Sequence, residues 1–123
     1  MSNSKKTFRV IKFKSKPLLV AKKISKSFGH RVVLKRINIH VYKSEMCGLL
    51  GSNGAGKSTY MNIVLGLIRP DFGDVFLGNT RLTHLAIHER AKLGISFLPQ
   101  KSSIFRGLTV YENLLAISQI CLK

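Results

Sequence analysis

Apolar positions along the chain change period several times, and the changes divide it into elements. Leu18–Ile24 is a short apolar-rich run that reads as a strand, followed by turn residues Ser27-Phe28-Gly29. Across Val32–Tyr42, Ile37, Ile39 and Val41 alternate with polar neighbours, the period of a half-buried strand. Met46–Leu50 is an apolar stretch that predicts a buried strand, and it feeds a glycine-rich segment and a helix to about Leu67. Pro70 is expected to end that helix, because proline cannot donate to the helical ladder. Val75–Leu77 predicts a brief strand, and Gly78-Asn79 is turn chemistry leading into another short pairing. Ile87–Leu93 predicts a helix stopped by Gly94, and Ile95–Leu98 a further apolar strand ended by Pro99. Thr109 and Glu112 have the spacing of a capping box at the head of a helix through Val110–Ile120.

Antiparallel strands therefore come first and a strand–loop–helix unit follows. That order predicts an α/β fold, with a small antiparallel β-subdomain at the N-terminal end laid on a parallel core. Within these residues the core is expected to be incomplete, because the chain stops where further strands would be added.

The loop carries the most specific chemistry. Gly51-Ser52-Asn53-Gly54-Ala55-Gly56-Lys57-Ser58 fits G-x-x-x-x-G-K-[ST] at every fixed position, and it stands between a predicted strand and a predicted helix, the context that pattern requires. Glycines let successive backbone N–H groups face one concavity, and the positive end of the helix adds to the attraction for phosphate. Lys57 is placed to reach the β- and γ-phosphates of a nucleoside triphosphate, and the Ser58 hydroxyl to ligate Mg²⁺. A glycine-rich structural turn is the bland alternative.

Composition narrows the rest. At 123 residues and 45% hydrophobic content the chain suits one domain with a real core. The net charge is +16, from 21 Lys and Arg against 5 Asp and Glu. Residues 1–17 contribute Lys5, Lys6, Arg9, Lys12, Lys14 and Lys16 and no acid. A solvated, disordered tail is the simplest reading; contact with nucleic acid or with an anionic membrane surface are the alternatives. Few aromatics interleave with the basic residues and no nucleic-acid module is recognisable, so no specific nucleic-acid partner is expected. Cys47 and Cys121 lie far apart; Cys47 is expected to pack in the buried strand, and a reducing compartment fits both. The longest apolar stretches fall far short of the roughly 20 residues that span a bilayer. His84 and His88 are spaced i, i+4, which could present two imidazoles for a metal on one helix face, but surface histidines are the ordinary account.

Together, GLLGSNGAGKST and the FLPQ ending in Gln100 resemble the ATP-binding subunits of ABC transporters. Within that group, THLAIHERAKLGISFLPQKSSIFRGLTVYENLLA resembles the ATPases of lipopolysaccharide export. The resemblance spans about residues 18–120, so 18–123 is identified as the N-terminal part of such a domain. It implies an ABC-type P-loop core, ATP and Mg²⁺ as ligands, and Phe28 as the aromatic residue stacking on adenine, where the family more often has Tyr. A packed residue of the β region is the alternative for Phe28. It further implies a nucleotide-binding loop of Gly51, Ser52, Asn53, Gly54, Ala55, Gly56, Lys57, Ser58 and Thr59, with Gln100 sensing Mg²⁺ and the attacking water. The segment Ser102–Gly107 matches a surface facing membrane subunits, and a second ATP-binding subunit completes a homodimer. The implied location is cytoplasmic, peripheral on the inner membrane.

Two departures, Ser52 for a common proline and Ser44 for a common glycine, leave the loop's donors intact. A larger one is that the family's signature, its metal-binding Asp, its catalytic Glu and its switch His have no counterpart within these residues. They are therefore expected to bind nucleotide and hydrolyse it poorly. Another P-loop NTPase class, or a nucleotide-binding fragment without turnover, are the competing readings.

Overall fold

A computed structural model describes residues 16–99, 101 and 104–121. Strands β1 (Leu19–Phe28) and β2 (Arg31–Val41) form an antiparallel hairpin, joined through Gly29 at φ 58°. Strand β3 (Phe72–Leu77) pairs with the other edge of β1, and β4 (Thr80–Arg81) with β3, giving the order β2-β1-β3-β4. The first strand is longer than its apolar run predicts, because Lys26, Ser27 and Phe28 find ladder partners on β2 regardless of polarity. That hairpin is bulged. Lys23 and Arg36 take positive φ, and the lost ladder bonds are replaced by Lys23 N–H to Asn38 Oδ1 at 2.8 Å and Arg36 N–H to Ser25 Oγ at 3.0 Å.

Helix α1 (Lys57–Leu65) lies on the sheet. Its Tyr60, Ile63 and Val64 close over Ala21 and Ile24 of β1, Leu34 of β2, Val75 of β3 and Leu82, forming the buried core. Ile37 and Ile39 pack at its margin, as the alternation predicts. The helix ends earlier than Pro70 requires. Gly66 adopts φ 89°, and Leu67 N–H turns back to Asn62 O at 2.9 Å, a glycine C-terminus reached well before the proline. Helix α2 (Ile87–Lys92) ends ahead of Gly94 at φ 96°. Helix α3 (Val110–Cys121) opens on the predicted capping box: Thr109 N–H donates to Glu112 Oε2 at 2.7 Å and Glu112 N–H to Thr109 Oγ1 at 3.2 Å.

Two predicted strands do not form. Met46–Leu50 and Ile95–Leu98 are irregular, and Met46, Leu50 and Leu98 are 98%, 96% and 91% exposed. A parallel strand gains its ladder bonds from neighbours, and no segment among the described residues runs beside either one. Cys47, expected to pack, is exposed for the same reason. No helix among the described residues is long and apolar enough to cross a membrane.

Candidate nucleotide site

The loop between residue 50 and α1 closes on itself around Lys57. Its ammonium donates to the carbonyls of Gly51 and of Ser52, the latter at 2.7 Å, and Ala55 N–H donates to Ser52 O at 3.1 Å. The cation thus sits on two loop carbonyls, where an arriving phosphate oxygen would compete for it. Gly56, at φ 95°, is fixed by packing as well as by its backbone angle. A Cβ there would come within 2.8 Å of Leu34 Cδ2 and 3.0 Å of Val33 O, so the loop can lie against β2 only with glycine at this position. Helix α1 has no acidic residue in its first turn, which leaves its positive end unopposed.

A cleft of about 350 Å³ opens between this loop and the start of β2. Asn53, Gly54, Gly56, Lys57, Ser58 and Thr59 line one side, and Phe28, Arg31 and Val33 the other. The structure therefore brings Phe28 and most of the loop residues together. Gly51, Ser52 and Ala55 contribute backbone to the loop rather than lining to the cleft. Phe28 is 49% exposed and outside the core, which sets aside its reading as a packed residue. Gln100, Ser102 and Ser103 lie outside the described residues, as does 1–15 of the basic segment. Ile104 and Phe105 are exposed, and Asn113 of α3 holds that segment by accepting from Phe105 N–H at 2.9 Å and donating to Thr109 O at 2.9 Å.

Electrostatically the cleft is cationic. Lys57 and Arg31 line it and no carboxylate does. All five acids are held elsewhere. Glu45 accepts from Tyr42 N–H, Asp71 from Lys26 and Ser27, Asp74 from Arg81 and Thr83, Glu89 from Ala86 N–H, and Glu112 from Thr109. Such a donor set fits a phosphate chain with an aromatic base. For a hard cation the lining offers hydroxyls, Ser58 first, and the remaining ligands would come from phosphate oxygens. No group of three His, Cys, Asp or Glu capable of holding a metal occurs among the described residues, and His84 precedes α2 rather than sharing a helix face with His88.

Three contributors were not legible from motifs. Arg31, which lines the cleft, belongs to no motif. Asp71 fell in a helix-ending turn, yet it grips the end of β1. Arg90, 2% exposed, donates to Ile63 O and Val64 O at 2.8 and 2.7 Å, so it satisfies the last-turn carbonyls of the helix whose first turn carries Lys57. A basic residue on a short helix, directly after Glu89, gave no signal of this role.

Comparison with known proteins agrees with this geometry. The ABC transporter family model matches residues 34–122. The chain is 45% identical over 103 residues to the lipopolysaccharide export system ATP-binding protein LptB of Haemophilus influenzae, covering 84% of this chain and 43% of that protein. To the LptB of Escherichia coli K12 it is 42% identical over 102 residues, covering 83% and 42%. Among solved structures, the ADP conformation of MJ1267, an ATP-binding cassette of an ABC transporter, superposes with a TM-score of 0.78 at 34% identity, covering 87% of this chain and 42% of that one. The chain thus spans about two fifths of the length of the relatives it matches. With loop, sheet order and sequence in agreement, the chain belongs to the ABC transporter family, among its ATP-binding subunits.

Proposed function

We propose that the cleft binds ATP with Mg²⁺, as part of an ATP-binding subunit that energises lipopolysaccharide export. The observation that carries this is the single cleft in which Lys57, Ser58 and Thr59 face Phe28. Lys57 and the loop amides hold the phosphates, Phe28 offers a π-face to the base, and Ser58 ligates the metal. Asn53, Gly54 and Gly56 shape the wall, and Gly51, Ser52 and Ala55 set the loop's curvature. Bound ATP supplies a phosphoanhydride whose cleavage releases free energy, with Mg²⁺ neutralising charge on its oxygens. Gln100 is assigned the sensing of metal and water. The likeness to LptB proteins supports the lipid substrate, a second ATP-binding subunit, and membrane subunits docking near Ser102–Gly107. It equally supports a position on the cytoplasmic face of the inner membrane.

Residues 18–123 are read as the first part of the domain and 1–17 as a basic extension. Met46–Leu50 and Ile95–Leu98 are then strands that await neighbours from the rest of such a domain. With every carboxylate committed elsewhere, a polypeptide of these 123 residues alone is expected to release phosphate far below the roughly 1–10³ s⁻¹ of ordinary enzymes. Titration with a fluorescent ATP analogue tests the binding site. Lys57→Ala is expected to abolish Mg²⁺-dependent binding, and equal affinity in both proteins would remove the assignment.

A further inference from the structure

Phe28 stands at the edge of the cleft, but what holds it there lies outside. Strand β1 pairs with β3 only as far as Ser25, opposite Phe72. Beyond that point Lys26, Ser27 and Phe28 have a ladder partner on the β2 side alone. Asp71, on the connection between α1 and β3, takes the place of the missing strand. Its Oδ2 accepts from Ser27 N–H at 2.7 Å, its Oδ1 from Lys26 Nζ at 2.6 Å, and its own N–H donates to Ser25 O at 2.9 Å.

The carboxylate is itself held in position. Gly73, at φ 93°, brings the β3 backbone so near β1 that a Cβ would fall 2.5 Å from Lys23 O, so the Asp71 segment has little freedom to slide along β1. Lys26, fixed by Asp71, places its ammonium 5.5 Å from the centroid of the Phe28 ring, within range of a cation–π attraction. One carboxylate therefore fixes both the backbone preceding Phe28 and a cation against its ring. The hydrogen bonds of Asp71 run to Ser25, Lys26 and Ser27, and none of them to the phosphate loop.

We infer that Asp71 is a positioning residue for the aromatic platform, setting affinity for the base of a bound nucleotide and leaving affinity for its phosphates unchanged. The inference rests on the nucleotide reading of the cleft. Asp71 acts through Lys26, the Ser27 amide and the Phe28 ring.

ATP and inorganic tripolyphosphate share a phosphate chain and differ by base and sugar, so their two dissociation constants separate the two ends of the cleft. With Mg²⁺ present, Asp71→Ala is expected to weaken ATP about 3- to 10-fold, a fraction of a full base–aromatic contact, and tripolyphosphate by less than about 2-fold. Lys26→Met keeps the bond to Ser27 and is expected to give a smaller loss of the same selectivity. Asp71→Asn, which retains size and one acceptor, serves if the alanine variant does not fold. In a Phe28→Ala background the Asp71 effect should vanish, because the ring through which it acts is gone.

Equal losses of both ligands, an unchanged ATP affinity, or an effect of Asp71 that persists without Phe28 would each overturn the inference. Failure of the nucleotide reading has a different signature. Wild-type protein would then bind ATP no more tightly than tripolyphosphate, Phe28→Ala would change neither, and the inference would fall with it.

Discussion

Replacing Arg90 with methionine removes a buried donor set that ties α1 to the segment after β4. Arg90 Nη1 donates to Ile63 O at 2.8 Å and Val64 O at 2.7 Å, Nε to Leu85 O at 3.0 Å, and Nη2 more weakly to Thr83 O at 3.4 Å. The guanidinium packs over Gly66, where a Cβ would come within 2.8 Å of Nε. Ile63 O keeps the Gly66 N–H at 3.2 Å, but Val64 O and Leu85 O lose their donor, which costs about 1–3 kcal/mol each. Against this, no carboxylate compensates the buried charge, and burial pushes the Arg90 pKa below its ordinary value. Methionine removes that penalty and fills much of the space, recovering about 1–2 kcal/mol. The expected net loss is about 2–3 kcal/mol, a large share of the 5–15 kcal/mol that holds a typical domain folded. Arg90→Lys should recover about half at most, because one ammonium cannot span the forked set of acceptors. Urea unfolding followed by far-UV circular dichroism would show the midpoint falling by about 1–2 M at unchanged slope. A methionine variant within about 0.5 kcal/mol of wild type, or a lysine variant equal to arginine, would mean that these carbonyls find water and that α1 is not held from its C-terminal end.

Three further outcomes follow from single groups. Tyr60 carries a buried hydroxyl with no hydrogen-bond partner among the described residues, and burial, with the nearby Cys47 second, pushes its pKa up to about 12. Tyr60→Phe is therefore expected to be neutral or to stabilise by up to about 1 kcal/mol in the same urea assay, and a clear loss would reveal a partner for the hydroxyl. Hydrogen bonds from the Thr109 backbone and side chain hold the Glu112 carboxyl below its ordinary 4.5, so its support of α3 is complete above that value and is lost as pH falls through the lower folded value. Amide exchange in α3, corrected for intrinsic rates, should accelerate only in that acidic window, and Thr109→Ala should accelerate it at neutral pH; a rate independent of both would remove the capping box from the account. Amides of Met46–Leu50 should exchange with little protection while Ile63 and Val64 are protected, because the former have no ladder and the latter lie in the core; equal protection would mean that the segment pairs.

Much of the fold was legible because its signals are local. The alternation of Ile37, Ile39 and Val41 sets a face of β2, and the Thr109–Glu112 spacing places the start of α3 to the residue. The phosphate loop was legible for the same reason, since its glycines and Lys57 are specified by close neighbours. Long-range features were not. That Gly66 rather than Pro70 ends α1 depends on a left-handed turn that composition alone does not require, and on Arg90 arriving from 24 positions further along. The bonds from Asp71 to the Ser27 amide and from Arg90 to the α1 carbonyls join residues 26 or more positions apart through backbone groups, for which sequence carries no pattern. The apolar runs at 46–50 and 95–98 predicted strands because hydrophobicity reports a propensity for burial. Whether a strand forms depends on the neighbours that supply its hydrogen bonds, and among the described residues those are missing.

Charge in this chain is arranged to favour one kind of ligand. Twenty-one basic residues face five acids, and each acid is engaged by a backbone amide or a side chain outside the cleft. The cleft is left with Lys57, Arg31 and the amino end of α1, and with hydroxyls and the Asn53 amide among its neutral donors. A bare divalent cation entering it would meet repulsion from both basic side chains and find no anionic ligand. A phosphate chain would be attracted by the same groups and would release Lys57 from the carbonyls of Gly51 and Ser52. Metal affinity should therefore follow phosphate affinity: Mg²⁺ is expected to bind here as a complex with the nucleotide, its charge balanced by oxygens that the ligand brings, with Ser58 contributing one position in its coordination.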